Sequence, residues 1–177
     1  MIAPEFSRLE RLDTIGDRPR DVTIVATEAE RQALAQRFEL IGIDRLEARF
    51  TLRADAGGVM ADGRVSADVV QACSASGVPL RATVDEAVSL RFIAEMGGPT
   101  AKWEEELELS PDALDTLPIE NGAIDLGEAA AETMALALDP FPRAPDADEA
   151  LAAAGVTGEG PAGPFAALAG LKHKLGE

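Results

Sequence analysis

Arg45-Leu46-Glu47-Ala48-Arg49-Phe50-Thr51-Leu52-Arg53 alternates polar and apolar residues without a break. Side chains along a β-strand point to opposite faces in turn, so Leu46, Ala48, Phe50 and Leu52 share one face and Arg45, Arg49 and Arg53 share the other. A strand of this kind needs neighbours to cover its apolar side, and the flanking sequence supplies them. Asp55-Ala56-Gly57-Gly58 is a turn signal. After it Val59, Ala61, Val65, Ala67 and Val69 fall on one parity, which predicts a second strand over residues 59–72. Ser74-Ala75-Ser76-Gly77 breaks the pattern, and Val78, Leu80, Ala82 and Val84 open a third strand. That strand reads as changing phase before Val88, Leu90 and Phe92, so a β-bulge is expected near Asp85–Ala87.

Upstream, residues 21–26 read as a strand rich in β-branched side chains. Thr27 followed by Glu30 has the form of a capping box, and a helix is predicted from there to about Phe38. Phe6, Leu9, Leu12 and Ile15 mark residues 1–20 as an edge strand or an irregular arm. Downstream, Gly97-Gly98-Pro99 ends the third strand, and Trp103, Glu105, Leu107 and Leu109 alternate as a further one. Asp125 caps a helix through Leu126, Ala130 and Met134 that stops before Pro140. Pro140, Pro142 and Pro145 carry the chain on in extended form. Residues 155–163 read as a flexible Gly/Pro-rich linker, and Phe165, Leu168 and Leu171 as a short apolar stripe before Lys172, His173 and Lys174. The expected fold is α+β, with mostly antiparallel strands forming a curved sheet or partial barrel and two helices. Residues 1–150 form the domain and 151–177 a flexible tail.

The chain has 177 residues, with a hydrophobic share of 46 % and a charged share of 27 %, the range of globular domains. Its core is aliphatic, for it has 6 Phe, 1 Trp and no Tyr. No stretch approaches the roughly 18–20 apolar residues of a membrane span, and the N-terminus has no basic start followed by an apolar run. With a single cysteine, Cys73, the cytoplasm is the expected compartment. The net charge of −16 is unevenly placed. Residues 1–102 hold 13 basic groups against 16 acids, a balance of 13 − 16 = −3, and residues 103–177 hold 3 against 16, or 3 − 16 = −13. A field of that sign repels polyphosphate and attracts cationic partners. The plain alternative is an acidic surface that keeps the protein soluble.

Catalysis has little material. The single His173 stands in the tail, and there is no HExxH, no Cys/His cluster and no phosphate loop. Glu104, Glu105 and Glu106 would alternate faces of a strand as a solvated edge. Cys73 reads as a small buried hydrophobe, with no cationic neighbour in sequence to activate it. Arg45, Arg49 and Arg53 form a polar-face stripe that could contact RNA phosphates, or could be neutralised across strands by Glu47, Asp62, Asp68 and Asp85. The second half makes the opposite offer: Asp125, Glu128, Glu132 and Asp139, beside Pro140, Pro142 and Arg143, form a candidate surface for a basic protein.

Residues 69–80, followed by Val84-Asp85-Glu86 and Leu90-Arg91-Phe92, resemble the central motif of the YceD family. Ile124-Asp125-Leu126-Gly127-Glu128, Glu132-Thr133 and residues 136–143 resemble the second motif of its proteobacterial branch, and Pro164-Phe165-Ala166-Ala167-Leu168 is similar to that branch's end. Cys73, Asp125, Leu126 and Gly127 are the motif residues. The resemblance implies a ribosome-biogenesis factor linked to accumulation of large-subunit ribosomal RNA, with no recognised activity or cofactor. Genes of the family commonly lie beside that of a small basic large-subunit ribosomal protein. Many members carry Cys-x-x-Cys in the central motif, whereas this chain has Cys73-Ser74-Ala75-Ser76. One thiol cannot build a tetrahedral zinc site, so no metal is expected. The expected partner is a basic large-subunit ribosomal protein or a ribosomal RNA precursor particle, with no membrane. Direct RNA contact through the Arg stripe is the alternative, and a carboxylate-dependent hydrolase is the third reading.

Overall fold

The computed structural model describes residues 4–94 and 116–156. The alternating stretch is the centre of strand β3 (Gly42–Asp55), which follows β1 (Leu9–Arg11), a single 3-10 turn, β2 (Arg20–Val25) and helix α1 (Glu28–Arg37). After it come β4 (Gly58–Ala72), β5 (Pro79–Ala94), β6 (Thr116–Ile119), β7 (Ala123–Asp125), α2 (Leu126–Ala137) and α3 (Ala147–Ala153). Five strands form one sheet in the order β2-β3-β4-β5-β6, and β1 pairs with β7 in a second, two-stranded sheet. The predicted strand over 103–109 and the tail from residue 157 lie outside the described residues.

The alternation is realised as expected. Leu46, Ala48, Phe50 and Leu52 on β3 and Val59, Ala61, Val65, Ala67 and Val69 on β4 are all buried. Phe50 stands opposite Gly63, and its ring takes the space that a side chain at 63 would need. Burying a Leu or Phe side chain contributes roughly 1.5–3 kcal/mol, so this two-strand face is a large contribution to stability. Leu34 and Ala35 of α1, which lies on β3, add to the same core, as do Phe6, Ile124, Leu126 and Met134.

Four expectations are corrected. The large sheet is mixed, because β6 runs parallel to β5. A parallel neighbour needs a crossover of a dozen or more residues, and the stretch between Ala94 and Thr116 is long enough to supply one. The sheet does not close into a partial barrel: among the described residues β2 and β6 are its outer strands. A third helix, α3, stands where acid flanks of a proline exit were read; its seven residues are too few to show helical periodicity. The irregularity expected in β5 lies in β3 instead, where the register shifts between Ile43 and Arg45. Val84, Leu90 and Phe92 are buried on a single parity, so β5 keeps its phase and Glu86 is simply an exposed acid on the inward row.

Residues divide into two compact units. The first, Met1–Gln71 with Arg81–Pro140, holds the sheets, α1 and α2. The second joins Ala72–Leu80 to the chain from Phe141 onward, where Cys73 packs with Ala144 and Ala147. Helix α3 stops at Gly155, whose φ of 77° and N–H bond to the Ala152 carbonyl, with Val156 N–H reaching Leu151, form a left-handed helix stop.

The capping box of α1 reaches beyond its own helix. Thr27 N–H donates to Glu30 at 2.7 Å, and Arg8 from the N-terminal arm grips the same carboxylate with two bonds of 2.7 and 2.9 Å. The Arg8 contact is the main reason that the Glu30 carboxyl falls from its ordinary 4.5 to about 2. A carboxylate whose folded value lies below its unfolded one stabilises the fold above the unfolded value, and loses that contribution as pH falls through the folded one. Denaturant midpoints should therefore drop between about pH 4.5 and about pH 2. In Glu30→Gln that acid limb should be flatter, from a lower stability at neutral pH. A variant whose limb runs parallel to the wild type would refute the assignment.

Candidate functional site

The start of α2 is built around Asp125. Its Oδ1 accepts from the N–H groups of Gly127 at 3.0 Å and Glu128 at 3.2 Å, which caps the helix. The same oxygen accepts the Arg8 N–H at 2.8 Å, and Oδ2 accepts the Ser7 hydroxyl at 2.5 Å. Gly127 lets the arm come this close, since a Cβ there would stand 2.5 Å from the Phe6 carbonyl oxygen and 2.9 Å from the Arg8 nitrogen. With Leu126 fully buried, the motif Asp125-Leu126-Gly127 works as a clamp that seats the N-terminal arm on the first turn of α2.

Beside the clamp opens a cleft of about 860 Å³. Its floor is one face of the two-stranded sheet, where Leu9 is paired with Asp125 and Arg11 with Ala123. Glu128, Ala129 and Glu132 of α2 form one wall. Phe92, Leu117 and Pro118, at the ends of β5 and β6, form another, with Glu120 and Asn121 in the turn before β7. Four acids against Arg11 leave the lining acidic, and the surface between them is largely apolar. Leu9 is 66 % exposed there and adds to the apolar surface of the cleft.

The acids have distinct states. Glu128 is held by Arg37 of α1 through two bonds of 2.9 and 2.6 Å, and Arg37 also reaches Glu5 at 3.1 Å. Glu132 is exposed as a residue, yet its carboxyl is partly desolvated beside the cleft. That desolvation, with the Glu128 charge added, raises it above its usual range; Arg37 offsets the effect in part.

Sequence reasoning placed Asp125, Glu128 and Glu132 on one helix, and the fold brings all three to this cleft. Asp139 and Pro140 close the first unit, where the Asp139 carbonyl accepts from Gln71 Nε2 at 2.9 Å. Pro142 and Arg143 belong to the second, and Arg143 pairs with Asp148 at 2.6 Å. The cleft residues missed in the sequence, among them Leu9, Phe92, Leu117 and Glu120, lie on four separate elements or turns. No local pattern links them.

Of the three stripe arginines Arg45 is paired with acids, as are Arg64 and Arg81 of the neighbouring strands. Arg45 bonds Asp68 at 2.8 Å and Glu47 at 3.1 Å, Arg64 meets Asp85 at 2.9 Å, and Arg81 meets Asp44 at 2.8 Å. Arg49 and Arg53 form no ion pair with a described residue, and Arg49 stands directly opposite Arg64. Among the described residues no helix is long and apolar enough to cross a membrane, and no group of three His, Cys, Asp or Glu could hold a metal ion.

Cys73 is buried, as expected, but its sulfur is not inert packing. It accepts the Ala144 N–H at 3.3 Å, and Ser74 N–H donates to the Pro142 carbonyl at 2.8 Å. A hydrogen bond from the Ser76 side chain, with those of the Ala144, Ser76 and Ala75 N–H groups, lowers the thiol from 9.0 to about 6. Donors from backbone and hydroxyl do here what a neighbouring cation does elsewhere, and a search for basic neighbours could not find them.

The fold and cleft define an acidic α+β protein whose N-terminal arm is clamped to the helix that walls its cleft. The chain belongs to the YceD family: residues 61–172 match the family described as large ribosomal RNA subunit accumulation protein YceD. Comparisons with curated proteins and with solved structures returned no match. The matched span includes Cys73, Asp125, Glu128 and Glu132, and begins after Arg45, Arg49 and Arg53. Membership ties the protein to accumulation of large-subunit ribosomal RNA.

Proposed function

We propose that this protein supports large-subunit ribosomal RNA accumulation by binding, without catalysis, and that its partner is a basic large-subunit ribosomal protein held by the acidic second half. The observation that carries this reading is the placement of charge. The sheet's arginines are largely spent on cross-strand acids, while Glu120, Asp125, Glu128 and Glu132 converge on one cleft. Such a field speeds encounter with a cationic protein and orients it, with an effect that salt screens. The setting is cytoplasmic, where ribosomes assemble.

The test is titration of the purified protein with basic large-subunit ribosomal proteins and, separately, with ribosomal RNA fragments, across a range of salt. Binding of the proteins with affinity falling as salt rises is the expected result. Binding of RNA with no affinity for any basic ribosomal protein would sink the reading. A second reading, direct RNA contact, draws on Arg49 and Arg53, which form no ion pair with a described residue, and on Arg49 standing opposite Arg64. Under it Arg49→Glu with Arg53→Glu abolishes RNA binding and flattens its salt dependence.

A further inference from the structure

We infer that the cleft between β7, α2 and β6 is the docking site for a short Lys/Arg-bearing segment of a basic protein, apolar residues seated on its floor and the cation between Glu120 and Glu132. This deepens the proposed function and rests on it. A diffuse acidic surface would attract cations without shape. This lining differs in having both an apolar floor and a net negative wall.

Leu9 and Leu117 come from separate strands, and with the edge of the buried Phe92 behind them they offer the aliphatic stem of a lysine or arginine a surface that water alone would otherwise cover. The volume of about 860 Å³ lies in the range of roughly 300–1,000 Å³ of clefts that enclose a ligand, room for a few side chains. Charge selects the sign of the occupant. Of the four acids, Asp125 is occupied by the N-terminal arm and Glu128 by Arg37, while Glu120 and Glu132 form no ion pair with a described residue and are placed to receive a cation. The carboxyl of Glu132, raised first by desolvation and then by the Glu128 charge, fits the same picture, since a cation placed beside it offsets both. A neutral or anionic ligand would leave those acids uncompensated.

The experiment measures the affinity of a basic large-subunit ribosomal protein for the full chain and three variants, with spermidine as a competitor. Glu120→Lys with Glu132→Lys should weaken binding at least tenfold. Leu9→Ser changes no charge and should weaken it about threefold or more. Asp148→Lys with Glu149→Lys, on α3, should cost less than the cleft pair although it changes charge equally. Glu132→Gln, nearly isosteric, repeats the charge arm if the lysine variants melt early. If the wild type binds and the α3 pair costs as much as the cleft pair while Leu9→Ser binds normally, the cleft is overturned and the general acidic reading survives. Full displacement by spermidine at a concentration that matches the protein's affinity, with no effect of Leu9→Ser, also overturns it, since the cleft would then be a site for small cations. Absence of binding by the wild type overturns the proposed function, and this inference with it.

Discussion

Gly63→Ala is expected to lower folding stability by about 2–3 kcal/mol and the melting temperature by roughly 5–10 °C. Two effects oppose each other at this position. Replacing a strand glycine by alanine ordinarily gains roughly 0.5–1 kcal/mol, because the unfolded chain loses freedom. Here the new Cβ would stand 2.2 Å from the carbonyl oxygen of Arg49 and 2.8 Å from Cδ1 of the Phe50 ring. The ring could swing away, although Phe50 is 2 % exposed and surrounded by core. The carbonyl belongs to the backbone of β3, and moving it breaks the ladder that joins β3 to β4. Overpacking against a backbone that cannot relax outweighs the entropic gain. Chemical denaturation should show the loss, with faster amide exchange spreading from residues 49–50 along both strands. A variant within about 0.5 kcal/mol of the wild type would show that the strand pair yields locally, and would contradict the reading of Gly63 as a seat for Phe50.

The second large effect is at Asp125. Asp125→Ala removes the cap of α2, a loss of about 0.5–2 kcal/mol. It also strips the half-buried Arg8 N–H and Ser7 hydroxyl of their acceptor, and a buried donor left unsatisfied costs about 1–3 kcal/mol. A total near 3 kcal/mol, with loosening of the arm, is expected. Asp125→Asn should recover most of it. Its remaining oxygen can take the three N–H bonds of Oδ1, and the Ser7 hydroxyl can turn to accept from the new amide. What the asparagine loses is the charge at a helix N-terminus, roughly 0.3–1 kcal/mol. The pair of variants separates two roles for one acid. If Asp125 acts as a clamp, Asp125→Asn binds the basic partner nearly as well as the wild type while Asp125→Ala is destabilised. If its charge is read by the partner, Asp125→Asn weakens binding with only that small loss of stability. Hydrogen exchange at residues 6–9, followed beside the affinity, tells the two apart.

Taken together, the clamp and the cleft share one piece of chain. The arm residues Ser7 and Arg8 are held by Asp125, and Leu9, next in sequence, lies on the cleft floor. Loss of the clamp therefore removes part of the floor. Stability and partner binding should fall together in Asp125→Ala, whereas Leu9→Ser should lower binding alone.

By itself the sequence determined the local elements of this protein. Period-two alternation dictated β3 and β4 and the faces they bury, the Thr27 and Glu30 pair dictated the start of α1, and Asp125 the start of α2. These follow from sterics and hydrogen bonding within a few residues, where the identity of each side chain is enough. Only the tertiary structure decided how distant pieces meet. Leu9 pairs with Asp125, Arg37 grips Glu128 across 91 positions, and β6 enters parallel to β5. Such pairings are choices among many chain closures of similar entropy, settled by the packing of the whole core, and no local pattern encodes them. The acids of α2 could be read from the chain, but the apolar lining that turns them into a cleft could not. That lining exists only once residues 9, 92 and 117 have been brought to one cleft by the fold.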